Sequence, residues 1–213
     1  MNNMKGFIFD LDGVIVSTDG IHYLAWKVIA DKEVIYFDRK INDRLRGVSR
    51  MGSLEIILER ADREYSLDEK NALCEEKNAI YREKLQNLTA SDRLKGVTET
   101  LDALRKKGYK LAIGSSSKNT PLILDKIGYK GFFDAVSDGN NITKSKPDPE
   151  VFLMAADMIG LKPEECFVVE DSRAGIDAAA AGGFKSIAIG DAANYEKADY
   201  KIKVFNDILD IIG

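Results

Sequence analysis

The apolar positions of this chain fall into two rhythms. Short runs that are apolar almost throughout, KLAIG at Lys110–Gly114, CFVV at Cys166–Val169 and SIAI at Ser186–Ile189, read as strands buried on both faces. KGFIF at Lys5–Phe9 and FDAV at Phe133–Val136 extend the series. Between them the spacing becomes helical. Phe152, Ala155, Ala156 and Ile159 repeat at i, i+3, i+4 and i+7, after Asp148 as a cap and Pro149 at the first helical position. Pro121 opens another helix, with Asn119 or Thr120 as its cap, and Ser172 caps an alanine-rich one that stops at Gly182 and Gly183. Strands alternating with helices predict an α/β fold with a Rossmann-like parallel sheet.

Residues 18–88 break the alternation. Ile21, Leu24, Ala25, Val28 and Ile29 form one helical stripe, Leu54, Ile57, Leu58 and Ala61 a second, and residues 69–86 suit a third helix. No convincing strand lies inside. The expected organisation is a core of residues 1–17 and 89–213 with a helical insert at 18–88. The core resumes near Ser91, where Gly96 and Val97 precede a helix carrying Leu101 and Leu104.

Composition narrows the function. With 213 residues, 45% hydrophobic and 31% charged, the chain is ordinary for a globular protein. A net charge of −4 and a pI near 5.3 argue against an electrostatic nucleic-acid binder. No apolar run approaches the roughly 20 residues that cross a bilayer. Acids at Asp10 and Asp12 do not suit a signal peptide, so a cytoplasmic location is expected. Cys74 and Cys166 read as buried thiols, and the single histidine, His22, excludes metal sites that need two.

Ligands of parallel α/β sheets bind beyond the carboxyl ends of the strands. Asp10, Asp12 and Gly13 follow the first strand; Ser115, Ser116, Ser117, Lys118 and Asn119 follow the strand at 110–114; Glu170 and Asp171 follow the strand at 166–169. Lys146 sits in the loop before the Asp148 cap. In extended chain, Asp10 and Asp12 point the same way. Two carboxylates 4 Å apart repel by roughly 4 kcal/mol at an effective dielectric of about 20. A divalent cation offsets that, and oxygen-only ligands favour Mg²⁺. A cation, a lysine and hydroxyl donors suit a phosphoryl group, with Asp10 as nucleophile and Asp12 as general acid and base.

These residues are those that define the haloacid dehalogenase-like phosphotransferase superfamily, which the chain resembles along nearly its whole length. Asp10-x-Asp12-Gly13-Val14 is similar to its first motif, Ser115 to its second, Lys146 to its third and Glu170-Asp171 to its fourth. The resemblance implies a Rossmann-like core with a small helical cap inserted after the first motif. It also implies one Mg²⁺ per chain, held by Asp10, Asp12, Glu170 and Asp171, with Ser115 and Lys146 in the catalytic set.

Within the superfamily, His22-x-x-x-Trp26, the stretch Leu45–Arg50 and the stretch Ser115–Asn119 most resemble the branch of sugar-phosphate mutases. These interconvert β-D-glucose 1-phosphate and glucose 6-phosphate through an aspartyl-phosphate and β-glucose 1,6-bisphosphate. The resemblance implies that Arg50 holds the phosphate distal to the nucleophile. It places Thr18 and His22 at the cap hinge, and lets Lys77 and Asn119 reach sugar or phosphate. Trp26, Arg46, Gly47, Ser53, Ser116 and Ser117 complete the implied substrate-binding set. Arg46 stands where the pattern commonly has lysine, and Ser116 where it has alanine. The expected partner is a small sugar phosphate, with no nucleic acid or membrane, and the protein is expected to be a monomer. A sugar-phosphate phosphatase of the same superfamily is the alternative reading. A phospho-aspartate signalling receiver is a remote one, since receivers lack so large an insert after the first strand.

Overall fold

The computed structural model describes residues 4–46 and 48–213. In chain order the elements are β1 (Gly6–Phe9), α1 (Asp19–Lys32), α2 (Arg39–Asp43), α3 (Arg50–Leu58), α4 (Leu67–Leu85), α5 (Val97–Lys106), β2 (Lys110–Gly114), α6 (Thr120–Lys126), β3 (Ala135–Ser137), α7 (Glu150–Met158), β4 (Cys166–Glu170), α8 (Arg173–Ala181), β5 (Lys185–Ala188), β6 (Tyr200–Lys201) and α9 (Ile208–Ile212). They group into two compact units, residues 1–17 with 89–213, and residues 18–88.

The first unit is built on a six-stranded sheet of order β3-β2-β1-β4-β5-β6, parallel throughout. Alternate residues of the central strands serve opposite faces. Ile8, Ala112 and Val168 pack with Phe152, Ala155 and Ala178 of α7 and α8. On the other face Phe7 meets Phe9, Tyr109 and Phe167 at centroid distances of 5.8, 5.1 and 5.1 Å. Burial on both faces is why these strands carry no polar alternation. Phe9 pairs with Ile113 on one side and Val169 on the other. That register brings Asp10, Gly114 and Glu170 to one edge of the sheet.

Several strand boundaries differ from the expectation: β1 begins one residue later, at Gly6, and β4 runs one residue further, to Glu170. The strand expected at 133–136 begins only at Ala135, because Asp134 Oδ2 accepts the Leu111 N–H at 2.7 Å and its own N–H goes to the Leu111 carbonyl. The strand expected at 186–189 starts one residue earlier, at Lys185. Pro149 is itself the cap residue of α7, while Asp148 Oδ1 accepts the Glu150 N–H at 3.0 Å. α2, β6 and α9 had no clear sequence signal. α2 and α9 span five residues each, and β6 spans two exposed ones.

The second unit is helical, with no strand among the described residues. Its core gathers Trp26, Ile29, Leu54, Ile57 and Leu73. A capping box between Ser66 and Glu69 starts α4. α1 ends in a Schellman arrangement: Ile35 N–H donates to the Ala30 carbonyl at 2.8 Å and Val34 N–H to the Asp31 carbonyl at 3.1 Å. The residue that must turn left-handed is Val34, at φ +59° and 91% exposed. A β-branched side chain there costs about 1–2 kcal/mol, and glycine removes that strain at an entropic cost of about 0.5–1 kcal/mol. Val34→Gly is therefore expected to raise stability by about 0.5–1 kcal/mol in a thermal melt, and a lowered melting temperature would contradict the strain assignment. No helix is long and apolar enough to cross a membrane among the described residues.

Candidate active site

Asp10 is buried at the carboxyl end of β1, its N–H donating to the Val169 carbonyl at 3.0 Å. Lys146 reaches the same edge from its loop. Its ammonium donates to Asp10 Oδ1 at 2.5 Å and to Glu170 Oε1 at 2.7 Å. Glu170 Oε2 accepts the Ser172 N–H at 2.6 Å and the Ser172 hydroxyl at 2.9 Å. Glu170 is thus fixed through both oxygens, and Ser172, which also caps α8, does the fixing on one side. Asp10, Glu170 and Asp171 each offer a carboxylate oxygen within 4.8 Å of the others. The half-buried Asp12 side chain is outside that set, though its charge is felt by Asp10 and Asp171.

The electrostatics follow from burial. Desolvation raises the Asp10 pKa; Lys146 opposes this, while Glu170 and Asp12 add to it, and the net shift is upward. Asp171 is raised too, by burial first and then by Glu170, Asp10 and Asp12. Burial alone would lower the Lys146 pKa, but the Asp10 and Glu170 carboxylates more than offset it and hold the ammonium charged.

A loop of hydroxyls lies beyond β2. Ser115 is buried; its Oγ accepts the Ser117 N–H at 3.3 Å, and Ser117 Oγ accepts the Asn119 N–H at 3.2 Å. The Ser116 hydroxyl is buried with no hydrogen-bond partner among the described residues.

The helical unit holds the other expected residues. Lys77 Nζ lies 2.8 Å from His22 Nδ1. An ammonium only donates, so Nδ1 accepts and the ring proton sits on Nε2. Burial, then the Lys77 and Arg50 charges, keep the His22 pKa well below its ordinary value. Lys77 is buried over the faces of Trp26 and Tyr81, at 5.0 and 4.4 Å from the ring centroids. The Tyr81 ring lies tilted against His22, centroids 4.1 Å apart, and its hydroxyl meets Thr18 Oγ1 at 2.8 Å. Trp26 is otherwise part of the helical core, and Ser53 is buried on α3. Arg50 is half-buried against α4, bonded to Glu75 and Asn78. Arg46 is exposed and lies 3.4 Å from Asp19 and 3.5 Å from Asp43. Gly47 is outside the described residues.

A protein-family model for haloacid dehalogenase-like hydrolases matches residues 4–183. The chain belongs to this family. Relatives agree with it. The β-phosphoglucomutase of Bacillus subtilis is 40% identical over 207 residues, spanning 96% of this chain and 92% of the relative. A crystal structure of β-phosphoglucomutase from Clostridium difficile superposes with a TM-score of 0.91 at 36% identity, covering 98% of this chain and 95% of that one. A fructose-1-phosphate phosphatase of Escherichia coli is 31% identical over 184 residues, 85% of this chain and 94% of the relative.

The donor set of this family member fits a divalent cation. Three carboxylates converge and two of them, Asp10 and Glu170, share one ammonium; burial first, and then the mutual repulsion of the acids, raises the pKa values of Asp10 and Asp171. Oxygen-only ligands of this kind match Mg²⁺.

Two glycines make room for the carboxylates, a constraint invisible in the motifs themselves. A Cβ on Gly13, at φ +81°, would lie 1.9 Å from Asp171 Oδ2, and one on Gly175 would lie 2.0 Å from Glu170 Cδ. Gly175 was readable only as a residue near the start of an alanine-rich helix. Glu170 cannot swing aside without leaving Lys146 and Ser172. Overpacking costs about 1–3 kcal/mol and helix propensity returns up to about 1. Gly175→Ala is expected to destabilise by about 1–2 kcal/mol in denaturant melts and to weaken Mg²⁺ binding by titration. Unchanged stability and affinity would mean that Glu170 is not held as described.

Proposed function

We propose that this protein is a Mg²⁺-dependent phosphomutase that interconverts β-D-glucose 1-phosphate and glucose 6-phosphate. Forty per cent identity along nearly the whole chain to a β-phosphoglucomutase carries the choice of reaction. The buried Asp10–Lys146–Glu170 cluster supports the phosphoryl chemistry. In this reading Asp10 carries the phosphoryl group as an aspartyl-phosphate. The sugar's 6-hydroxyl attacks it, losing its proton to Asp12, and β-glucose 1,6-bisphosphate forms. After the bisphosphate turns around, Asp10 attacks the phosphorus at position 1. Asp12 returns the proton to the departing oxygen, and glucose 6-phosphate leaves.

With Asp12 beside them as the general acid and base, Asp10, Glu170 and Asp171 would hold the Mg²⁺. Bound there, it supplies charge neutralisation at the phosphoryl oxygens. Lys146 keeps Asp10 oriented and partly offsets its charge. Ser115 and the loop to Asn119 supply donors to the transferring phosphoryl group. The helical unit acts as the cap; in it, Arg50 holds the phosphate that is not reacting, and Lys77 with neutral His22 completes a basic patch. Ser53, Trp26, Arg46, Gly47, Ser116 and Ser117 belong to the proposed substrate-contacting set. The cellular setting in this reading is the cytoplasm, and the active form is a monomer.

A phosphatase acting on a small sugar phosphate is the second reading, favoured by the 31% identity to a fructose-1-phosphate phosphatase. It uses the same core and differs in whether water or a sugar hydroxyl takes the phosphoryl group. Both readings share one test. Borohydride added during turnover should convert Asp10 to homoserine, detectable by peptide mass spectrometry; homoserine at another aspartate would overturn both. Removal of the metal with EDTA is expected to stop turnover, and added Mg²⁺ to restore it. Full activity in EDTA would exclude the metal.

A further inference from the structure

Arg50 opens α3, but its guanidinium is governed by α4. Nη2 donates to Asn78 Oδ1 at 2.9 Å, and Nη1 donates to Glu75 Oε1 at 3.1 Å. The Cys74 thiol approaches the Arg50 carbonyl at 3.9 Å, so one stretch of α4 meets both the backbone and the side chain of this residue. Glu75 and Asn78 are three apart and therefore neighbours on the helix surface. Between them they engage both ends of a planar fork, which sets the plane of its remaining donors. The two partners differ in kind. Asn78 is neutral and half-buried. Glu75 is an anion whose side chain is 75% exposed, against 27% for Arg50.

We propose that Asn78 and Glu75 tune the anion affinity of Arg50 in opposite senses, Asn78 by orienting the guanidinium and Glu75 by competing for it. The proposal rests on the reading that Arg50 holds the non-reacting phosphate of the substrate. A carboxylate and a phosphate dianion are the same class of ligand for this fork, so Glu75 competes for Nη1 and its charge weakens the pull of the remaining donors on a phosphate. An exposed pair of this kind is worth about 2–5-fold in affinity, and salt screens it. The amide of Asn78 orients without a competing charge, and losing one such hydrogen bond costs about 3–10-fold. Both are positioning residues: neither needs to touch the substrate.

The test is the split of KM and kcat in sugar-phosphate isomerisation, at about 20 mM and about 300 mM salt, where screening differs several-fold in reach. Hydrolysis of p-nitrophenyl phosphate, which has no second phosphate, is the reference reaction. Glu75→Gln is expected to lower KM by about 2–5-fold at low salt, with the gain shrinking at high salt. Asn78→Ala is expected to raise KM by about 3–10-fold at both. Neither should change kcat on the aryl phosphate. Shifts of KM in the same direction, or none in either variant while Arg50→Ala raises KM more than about 10-fold, would overturn the tuning and leave the role of Arg50 standing. A matching fall in kcat on both substrates would show a merely structural role and also overturn it. If Arg50→Ala itself leaves KM unchanged, the reading of Arg50 falls and the proposal falls with it.

Discussion

Asp10→Asn is expected to lower turnover by on the order of 10⁴–10⁶-fold while leaving the fold intact. An amide has no anionic oxygen to attack phosphorus, so the loss is chemical and not positional. The position is set by the main chain, through the Asp10 N–H bond to Val169 and the parallel register of β1 between β2 and β4. Asparagine is nearly isosteric, and its carbonyl oxygen can still accept from Lys146, which also keeps Glu170 at 2.7 Å. One negative charge fewer in the cluster relieves Asp171, whose pKa is raised partly by Asp10. The melting temperature in EDTA should therefore stay close to that of the parent while kcat collapses. Retained turnover would remove Asp10 as nucleophile. Joint loss of fold and activity would make the role structural.

Lys146→Met should do the reverse of sparing the fold. The lysine side chain is 4% exposed and stands between two carboxylates that are 11% and 1% exposed. Its removal leaves buried like charges facing each other, a loss of about 3–5 kcal/mol. For a chain of this size that is a fall in melting temperature of about 6–20 °C, measured in EDTA. Turnover should fall as well, by about 10²–10³-fold at least, as when one preorganised donor is lost. The sign of the pH dependence follows from the same contacts. Lys146 pulls the Asp10 and Asp171 pKa values down. Without it, burial and mutual repulsion raise them further. A carboxyl whose folded pKa lies above its unfolded value loses stability as pH rises through the folded value. In the parent these values stand at about 7 and about 9, so the deficit should set in near pH 7 and grow as pH rises through about 9. A deficit independent of pH would mean that packing of the lysine stem, and not its charge, dominates.

Much of the α/β architecture was legible because parallel strands covered on both faces are continuous apolar runs, and β1, β2 and β4 are such runs. Residues just past those strands could be picked out for the same reason. Geometry between them was not legible. That Lys146 bridges Asp10 and Glu170 depends on contacts 136 and 24 residues apart in the chain. Ser172 could be read as a cap, yet its second task of holding Glu170 appears only when the side chains are placed. β6 escaped notice because two exposed residues carry no pattern. Val34 hid a left-handed turn where glycine is the usual signal. Glu75 and Asn78 looked like ordinary polar positions on a charged helix, since what distinguishes them is the guanidinium from another helix.

A mutase passes the phosphoryl group on Asp10 to a sugar hydroxyl, and a phosphatase passes it to water. One reaction distinguishes the two most directly: β-D-glucose 1-phosphate with Mg²⁺ and a trace of β-glucose 1,6-bisphosphate, with glucose 6-phosphate and free phosphate followed together. The expected result is rapid formation of glucose 6-phosphate with free phosphate released far more slowly. Rapid release of phosphate without isomerisation would contradict the mutase and make the protein a phosphatase.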